Sequence, residues 1–184
     1  SVSKSLEYHP SIVDFGLTKC NIPDLMKSVV VKNSGLVADT ISSISLEPQT
    51  PEFKLTNLPI MPYSISAGDS LTINIEFNPS SEGKFSTNLI INSPDLKQGP
   101  ITIPVSGEYR KTILSASDPI LDFGQLETCE SPKSLKFILY NTGTLADTLL
   151  VNLERGVKPY SIVSPDTLLL GGNDSTEVEV SFNP

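Results

Sequence analysis

The chain has 184 residues, with 13 Lys and Arg against 21 Asp and Glu, for a formal net charge of −8. That balance leaves no basic stripe for phosphate contact and argues against a nucleic-acid partner. No apolar run approaches the roughly 18 residues of a membrane span, and the single histidine, His9, rules out a His-clustered metal site.

In chain order the pattern has period two, the signature of half-buried strands. Asp14-Phe15-Gly16 is expected to close the first strand, with Phe15 inside and Gly16 permitting a bend or positive φ. Cys20 follows, and then a run whose inward side carries Val29 and Val31. Asn33-Ser34-Gly35 reads as a tight turn, and Asp39-Thr40 is expected to close the loop behind it with a side-chain hydrogen bond. Beyond the Ala67-Gly68-Asp69 turn, Leu71, Ile73, Ile75 and Phe77 alternate with polar residues. The Ser80–Gly83 turn leads to Phe85, Thr87, Leu89 and Ile91. A last strand carries Ile101, Ile103 and Val105, and Pro104 cannot donate to a ladder, so a free edge is expected there.

The series then starts again. Asp122-Phe123-Gly124 repeats Asp14-Phe15-Gly16 at a spacing of 108, and so do Asn141, Gly143, Ala146, Asp147 and Thr148 against Asn33, Gly35, Ala38, Asp39 and Thr40. Phe137 and Leu139 match Val29 and Val31, which marks that face as core in both copies. Phe182-Asn183-Pro184 repeats Phe77-Asn78-Pro79 at a spacing of 105. The domains are therefore 1–108 and 109–184, joined without a Pro- or Ser-rich spacer, which predicts end-to-end stacking as a semi-rigid rod. Tyr109 at the junction is either an interface residue or an exposed linker tyrosine. About seven short strands per unit point to a two-sheet sandwich of immunoglobulin type. Copy two stops before the counterparts of Phe85–Ile91 and Ile101–Val105. The expectation is a chain cut from a longer one; the alternatives are strand addition from another chain, and disorder or a mere boundary choice.

The matched cysteines, Cys20 and Cys129, should lie about a domain length apart. A disulfide needs Cα atoms within about 7 Å, so both are read as small buried hydrophobes, and the redox compartment stays open. Asp118, Asp122 and Asp147 are single carboxylates with no reason to pair for acid–base work. Gly171-Gly172-Asn173-Asp174-Ser175 lacks the acidic count and spacing of a calcium loop, and its equivalent Ala67-Gly68-Asp69-Ser70 marks both as turns. No catalytic, cofactor-binding or metal-ligating residue is predicted.

The ordered set comprises DFG, Asn-x-Gly, Ile41 with Ile44, Gly68-Asp69-Ser70, Phe77-x-Pro79, Gly83, and Ile103 to Gly107. It resembles the ASH/Hydin-type immunoglobulin-like module, related to the major sperm protein fold, and most resembles the bacterial choice-of-anchor tandem repeats. The resemblance implies an all-β pair of tandem immunoglobulin-like sandwiches, the second truncated before its last two strands. It implies a non-catalytic scaffold or spacer in a larger secreted or cell-surface protein, with protein partners and neighbouring modules of the same parent chain. One alternative is an intracellular ciliary or centrosomal docking module. The other is an adhesin or carbohydrate-binding module, which would want clustered exposed aromatics, whereas Tyr63, Tyr109 and Tyr160 are scattered. Binding is expected at the end loops or at the edge near Pro104.

Overall fold

The computed structural model describes residues 5–19, 25–94, 99–125, 127, 131–154 and 159–184. Cys20 and Cys129, with the reading attached to them, lie outside the described residues. Among these residues every regular element is a strand, and no helix is long and apolar enough to cross a membrane. The chain divides into two compact units, Ser1–Tyr109 and Arg110–Pro184.

Unit 1 is a complete immunoglobulin-like sandwich. Its strands are β1 (Leu6–His9), β2 (Val13–Thr18), β3 (Leu25–Asn33), β4 (Asp39–Ile41), β5 (Ser43–Glu47), β6 (Phe53–Thr56), β7 (Tyr63–Ile65), β8 (Ser70–Phe77), β9 (Gly83–Asn92) and β10 (Ile101–Tyr109). One sheet has the order β1-β3-β8-β6 and the other β2-β10-β9-β5, while β4 and β7 form a short ribbon. All pairings are antiparallel except β2 with β10. The period-two pattern decides which side chains meet between the sheets. Val29 and Val31 of β3, and Ile73, Ile75 and Phe77 of β8, are buried against Leu89 and Ile91 of β9 and Ile103 and Val105 of β10 in one core.

Two expectations change. The DFG triplet lies inside the second strand, because Leu6–His9 already pairs with β3 through Leu6↔Asn33 to His9↔Val30. The strand containing Pro104 is central, not an edge: Pro104 is opposite Asn88 of β9, and pairing with β2 begins one residue later, at Val105↔Val13. The missing N–H of Pro104 is tolerated because β2 has not yet begun alongside it.

Unit 2 contains β11 (Leu114–Ala116), β12 (Lys133–Asn141), β13 (Asp147–Leu150), β14 (Tyr160–Ile162), β15 (Thr167–Leu170) and β16 (Asp174–Phe182). The sheet β11-β12-β16-β14 repeats β1-β3-β8-β6, and the ribbon β13-β15 repeats β4-β7. Register is kept as well: Leu25↔Phe77 becomes Lys133↔Phe182, and Phe53↔Phe77 becomes Tyr160↔Phe182. Among the described residues of unit 2, no strand of the second sheet forms. Leu121–Gly124, matching β2, and Val151–Glu154, which matches Ile44–Glu47 of β5 once one residue is dropped from the 108 spacing, keep the sequence pattern of strands, although the Val151 N–H already bonds the Asp166 carbonyl as an extension of the β13–β15 ribbon. Each lacks the hairpin that gives its counterpart a ladder. A strand is a paired object, and propensity without a partner does not make one.

Candidate interaction surface

The inner face of the unit 2 sheet is where the two copies diverge. Val29 and Val31 are buried; their equivalents Phe137 and Leu139 are half-buried. Ile75 and Phe77 are buried; Val180 and Phe182 are half-buried. The expectation that Phe137 and Leu139 are core is met only in part: both are half-buried, and among the described residues no strand corresponding to β9 or β10 lies over them. Among the described residues of unit 2, the buried apolar side chains are Phe123, Leu170 and Val178.

The borders of this face are in place. Asp14 Oδ1 accepts the Gly16 N–H at 2.9 Å, and Asp122 Oδ1 accepts the Gly124 N–H at 2.8 Å. Gly16 and Gly124 share a positive φ, 69° and 71°, a conformation that glycine adopts without a Cβ penalty. This turn holds Phe15 and Phe123 inward. Phe15 joins Phe53, Phe77 and Phe85 in an aromatic cluster. Phe123 packs on Tyr160 and Phe182, with ring centroids 5.7 and 5.8 Å away. The Lys27 ammonium donates to the Asp14 carbonyl, and the Lys133 ammonium donates to the Phe123 carbonyl at 2.8 Å.

In unit 1 the hairpin β9–β10 adds polar contacts to these same borders. Ser106 Oγ of β10 donates to Asp14 Oδ1 at 3.1 Å. The bonds from the Gly16 N–H and the Ser106 hydroxyl, with help from the nearby Lys27 charge, hold the Asp14 carboxyl below its usual range. Ser93, just past β9, donates to Asp39 Oδ1 at 3.0 Å, and Asp39 is buried. The equivalent Asp147 is exposed and accepts the Thr148 N–H. Gly107 of β10 lies flat on Phe77: a Cβ there would stand 2.7 Å from the ring.

Asn33 and Asn141 are the organisers that sequence reasoning saw only as turn residues. Asn33 Nδ2 donates to the carbonyls of Val37 and Ile65, and its Oδ1 accepts the Gly35 N–H. Asn141 makes the same set with Leu145, Gly171 and Gly143. Both are buried. The loop after Asn-x-Gly is thus closed by the asparagine itself. The carboxylates of Asp39 and Asp147 bond the next residue's N–H instead.

The remaining sequence candidates are placed as follows. His9 is exposed at the end of β1. Asp118 accepts from Ser117 Oγ. In the Gly171–Ser175 turn, Asn173 has φ 56° where Gly68 has 84°, and its N–H bonds Gly143 O as the Gly68 N–H bonds Asn33 O. Asparagine tolerates that conformation, so a shared turn accounts for the match. Tyr160 lies on the aromatic cluster of unit 2, Tyr63 is in β7 and Tyr109 ends β10. No group of three or more His, Cys, Asp or Glu suited to a metal occurs among the described residues. On the outer face of unit 2, Lys136 bonds Glu177 at 2.6 Å with Glu179 at 3.9 Å, and these carboxylates raise the lysine above its usual range.

No family model and no curated protein matches the sequence. Among solved structures, the chain is similar to a protein of unknown function from Porphyromonas gingivalis W83, at 16% identity and a TM-score of 0.43, over 97% of this chain and 83% of that one. It is similar to the ASH/PapD-like domain 7 of human CEP192, at 12% identity and a TM-score of 0.47, over 56% and 84%. It is also similar to the secreted serine protease VesC from Vibrio cholerae, at 11% identity and a TM-score of 0.44, over 99% and 46%. None of these likenesses extends to activity or partner.

Proposed function

We propose that the chain is a non-catalytic, protein-binding pair of immunoglobulin-like modules that serves as a scaffold or spacer within a larger secreted or cell-surface protein. The observation that supports the reading is the repeated all-β unit, in which the matched residues Phe15 and Phe123 serve packing and Asn33 and Asn141 close the same turn. The matched carboxylates add support, since Asp14, Asp122, Asp39 and Asp147 each hold a backbone N–H, which is a structural use. Protease shaving of intact source cells, followed by mass spectrometry of the parent protein, tests the location. Peptides from residues 1–184 released before lysis are the expected result. Protection until lysis would overturn the surface assignment.

A further inference from the structure

We infer that Asn173 is the acceptor of an N-linked oligosaccharide, with Tyr140 as the platform on which its first sugar lies. Acceptor triplets of the Asn-x-Ser/Thr kind belong to surface loops of secreted proteins, so this modification rests on the secreted or cell-surface placement proposed above.

Asn173-Asp174-Ser175 is the one place in the sequence where an asparagine is followed two residues later by Ser or Thr with no proline between. Asn78-Pro79-Ser80 comes nearest and is excluded by its proline. The turn accounts for the backbone at residue 173 but not for the side chain. In unit 1 the same turn is served by Gly68, with φ 84°, followed by Asp69 and Ser70. Unit 2 keeps the Asp-Ser pair and has Asn173, with φ 56°, in place of the glycine. Glycine takes that conformation at the least cost, so the turn itself gives no reason for the exchange.

The surroundings suit a sugar. Asn173 and Ser175 are exposed. The Asn173 backbone N–H bonds the Gly143 carbonyl, while its side-chain amide has no partner among the described residues. The carboxylate between them is turned back on the chain, with Asp174 Oδ1 accepting the Ser175 N–H at 2.8 Å. Beside this turn is a depression of about 250 Å³ lined by Tyr140, Thr142 and Asn173. Tyr140 is opposite Ser175 in the β12–β16 ladder, and in unit 1 the residue opposite Ser70 is Lys32. Two differences between the copies, asparagine for glycine and tyrosine for lysine, therefore fall side by side. The C–H face of a sugar packs on an aromatic ring as other apolar surfaces do. Gly68, Asp69 and Ser70 are exposed in unit 1 too, where both sheets are present, so the exposure belongs to the turn itself.

In the transfer, Asn173 Nδ2 bonds to the anomeric carbon of an oligosaccharide carried on a lipid pyrophosphate. The bond from that carbon to the pyrophosphate oxygen breaks, its electron pair leaves with the lipid pyrophosphate, and one Nδ2 proton passes to a base of the transferase. The amide is a weak nucleophile, because its lone pair is shared with the carbonyl. The step therefore needs an enzyme that recognises the triplet, with the Ser175 hydroxyl as the required mark.

The test is mass spectrometry of the protein isolated from its source cells, with fragmentation of the peptide that contains Asn173. The expected result is an oligosaccharide attached at Asn173. It should be lost in Ser175→Ala, kept in Ser175→Thr, and lost in Asn173→Gly, which has the residue unit 1 uses in this turn and so keeps the fold. A bare Asn173 in the source protein, or a glycan that survives Ser175→Ala, would overturn the assignment. Thermal unfolding tests the platform. The glycosylated chain should melt above the Asn173→Gly chain, and that gain should vanish in a Tyr140→Lys background. No gain, or the same gain with Tyr140→Lys, would overturn the role of Tyr140. Peptides shaved from intact cells with a bare Asn173 would defeat this assignment and leave the surface reading standing. A glycan at Asn173 on a chain protected until lysis would do the reverse.

Discussion

Phe77 and Phe182 are the same residue in two copies, yet the structure predicts that truncating them has unequal consequences. Phe77 is buried, with the rings of Phe53, Phe15 and Phe85 centred 4.9, 5.3 and 6.0 Å away and the Gly107 backbone against its face. Phe77→Ala would leave a cavity enclosed by both sheets, and such losses run to about 3–5 kcal/mol. Phe182 is half-buried, with the rings of Tyr160 and Phe123 centred 4.9 and 5.8 Å away. Solvent already reaches one side of it, so the cavity contribution falls away and Phe182→Ala should cost about 1–2 kcal/mol. Urea unfolding followed by residue-resolved hydrogen exchange reads each unit in the intact chain, because amides of β3 and β8 report on one and those of β12 and β16 on the other. Equal losses in the two units, or a larger loss for Phe182→Ala, would refute the claim that Phe182 is less enclosed than Phe77.

Asn33→Ala should destabilise unit 1 by about 2–4 kcal/mol, since it strands two carbonyls and an N–H at a buried site. Asn33→Asp should be no milder, because a carboxylate would face the Val37 and Ile65 carbonyls; chemical denaturation checks both. Gly107→Ala should lower the melting temperature of unit 1, because its Cβ collides with Phe77 and β10 must shift; an unchanged melt would show that the strand does not lie so close. Acidification should weaken the DFG turn of unit 1. Folding holds the Asp14 carboxyl below its usual value of 3.8 through the Gly16 N–H and the Ser106 hydroxyl. Its contribution is therefore complete above that value and is lost as pH falls through the depressed one. In an Asp14→Asn variant this part of the acid dependence should disappear from unit 1 unfolding measured between neutral and strongly acidic pH.

Much of this architecture is legible in the sequence because the strands alternate cleanly and the unit occurs twice. Phe15, Phe123 and the positive φ at Gly16 and Gly124 follow from one triplet and its repeat. The first strand escaped because Leu6–His9 is mostly exposed and shows little alternation. Pro104 does mark a point where β10 is unpaired on one side, but the sequence does not show that β2 begins one residue later and makes the strand central. The failure of Leu121–Gly124 and Val151–Glu154 to form strands is equally hidden. Their letters match β2 and β5, and only the absence of a paired hairpin separates them. Asn33 and Asn141 announce a turn in sequence, but the carbonyls they reach at Ile65 and Gly171 are 32 and 30 residues away and become neighbours only in the fold.

The central claim is that unit 1 has two facing sheets, whereas among the described residues of unit 2 neither Leu121–Gly124 nor Asn152–Glu154 pairs in a ladder. Native-state hydrogen exchange on the intact chain tests it most directly. Amides of β2 and β5 should be protected with the core of unit 1, while those of Leu121–Phe123 and Asn152–Glu154 exchange near the rate of unpaired chain. Comparable protection of both sets would mean that unit 2 already has its second sheet, and would contradict the account.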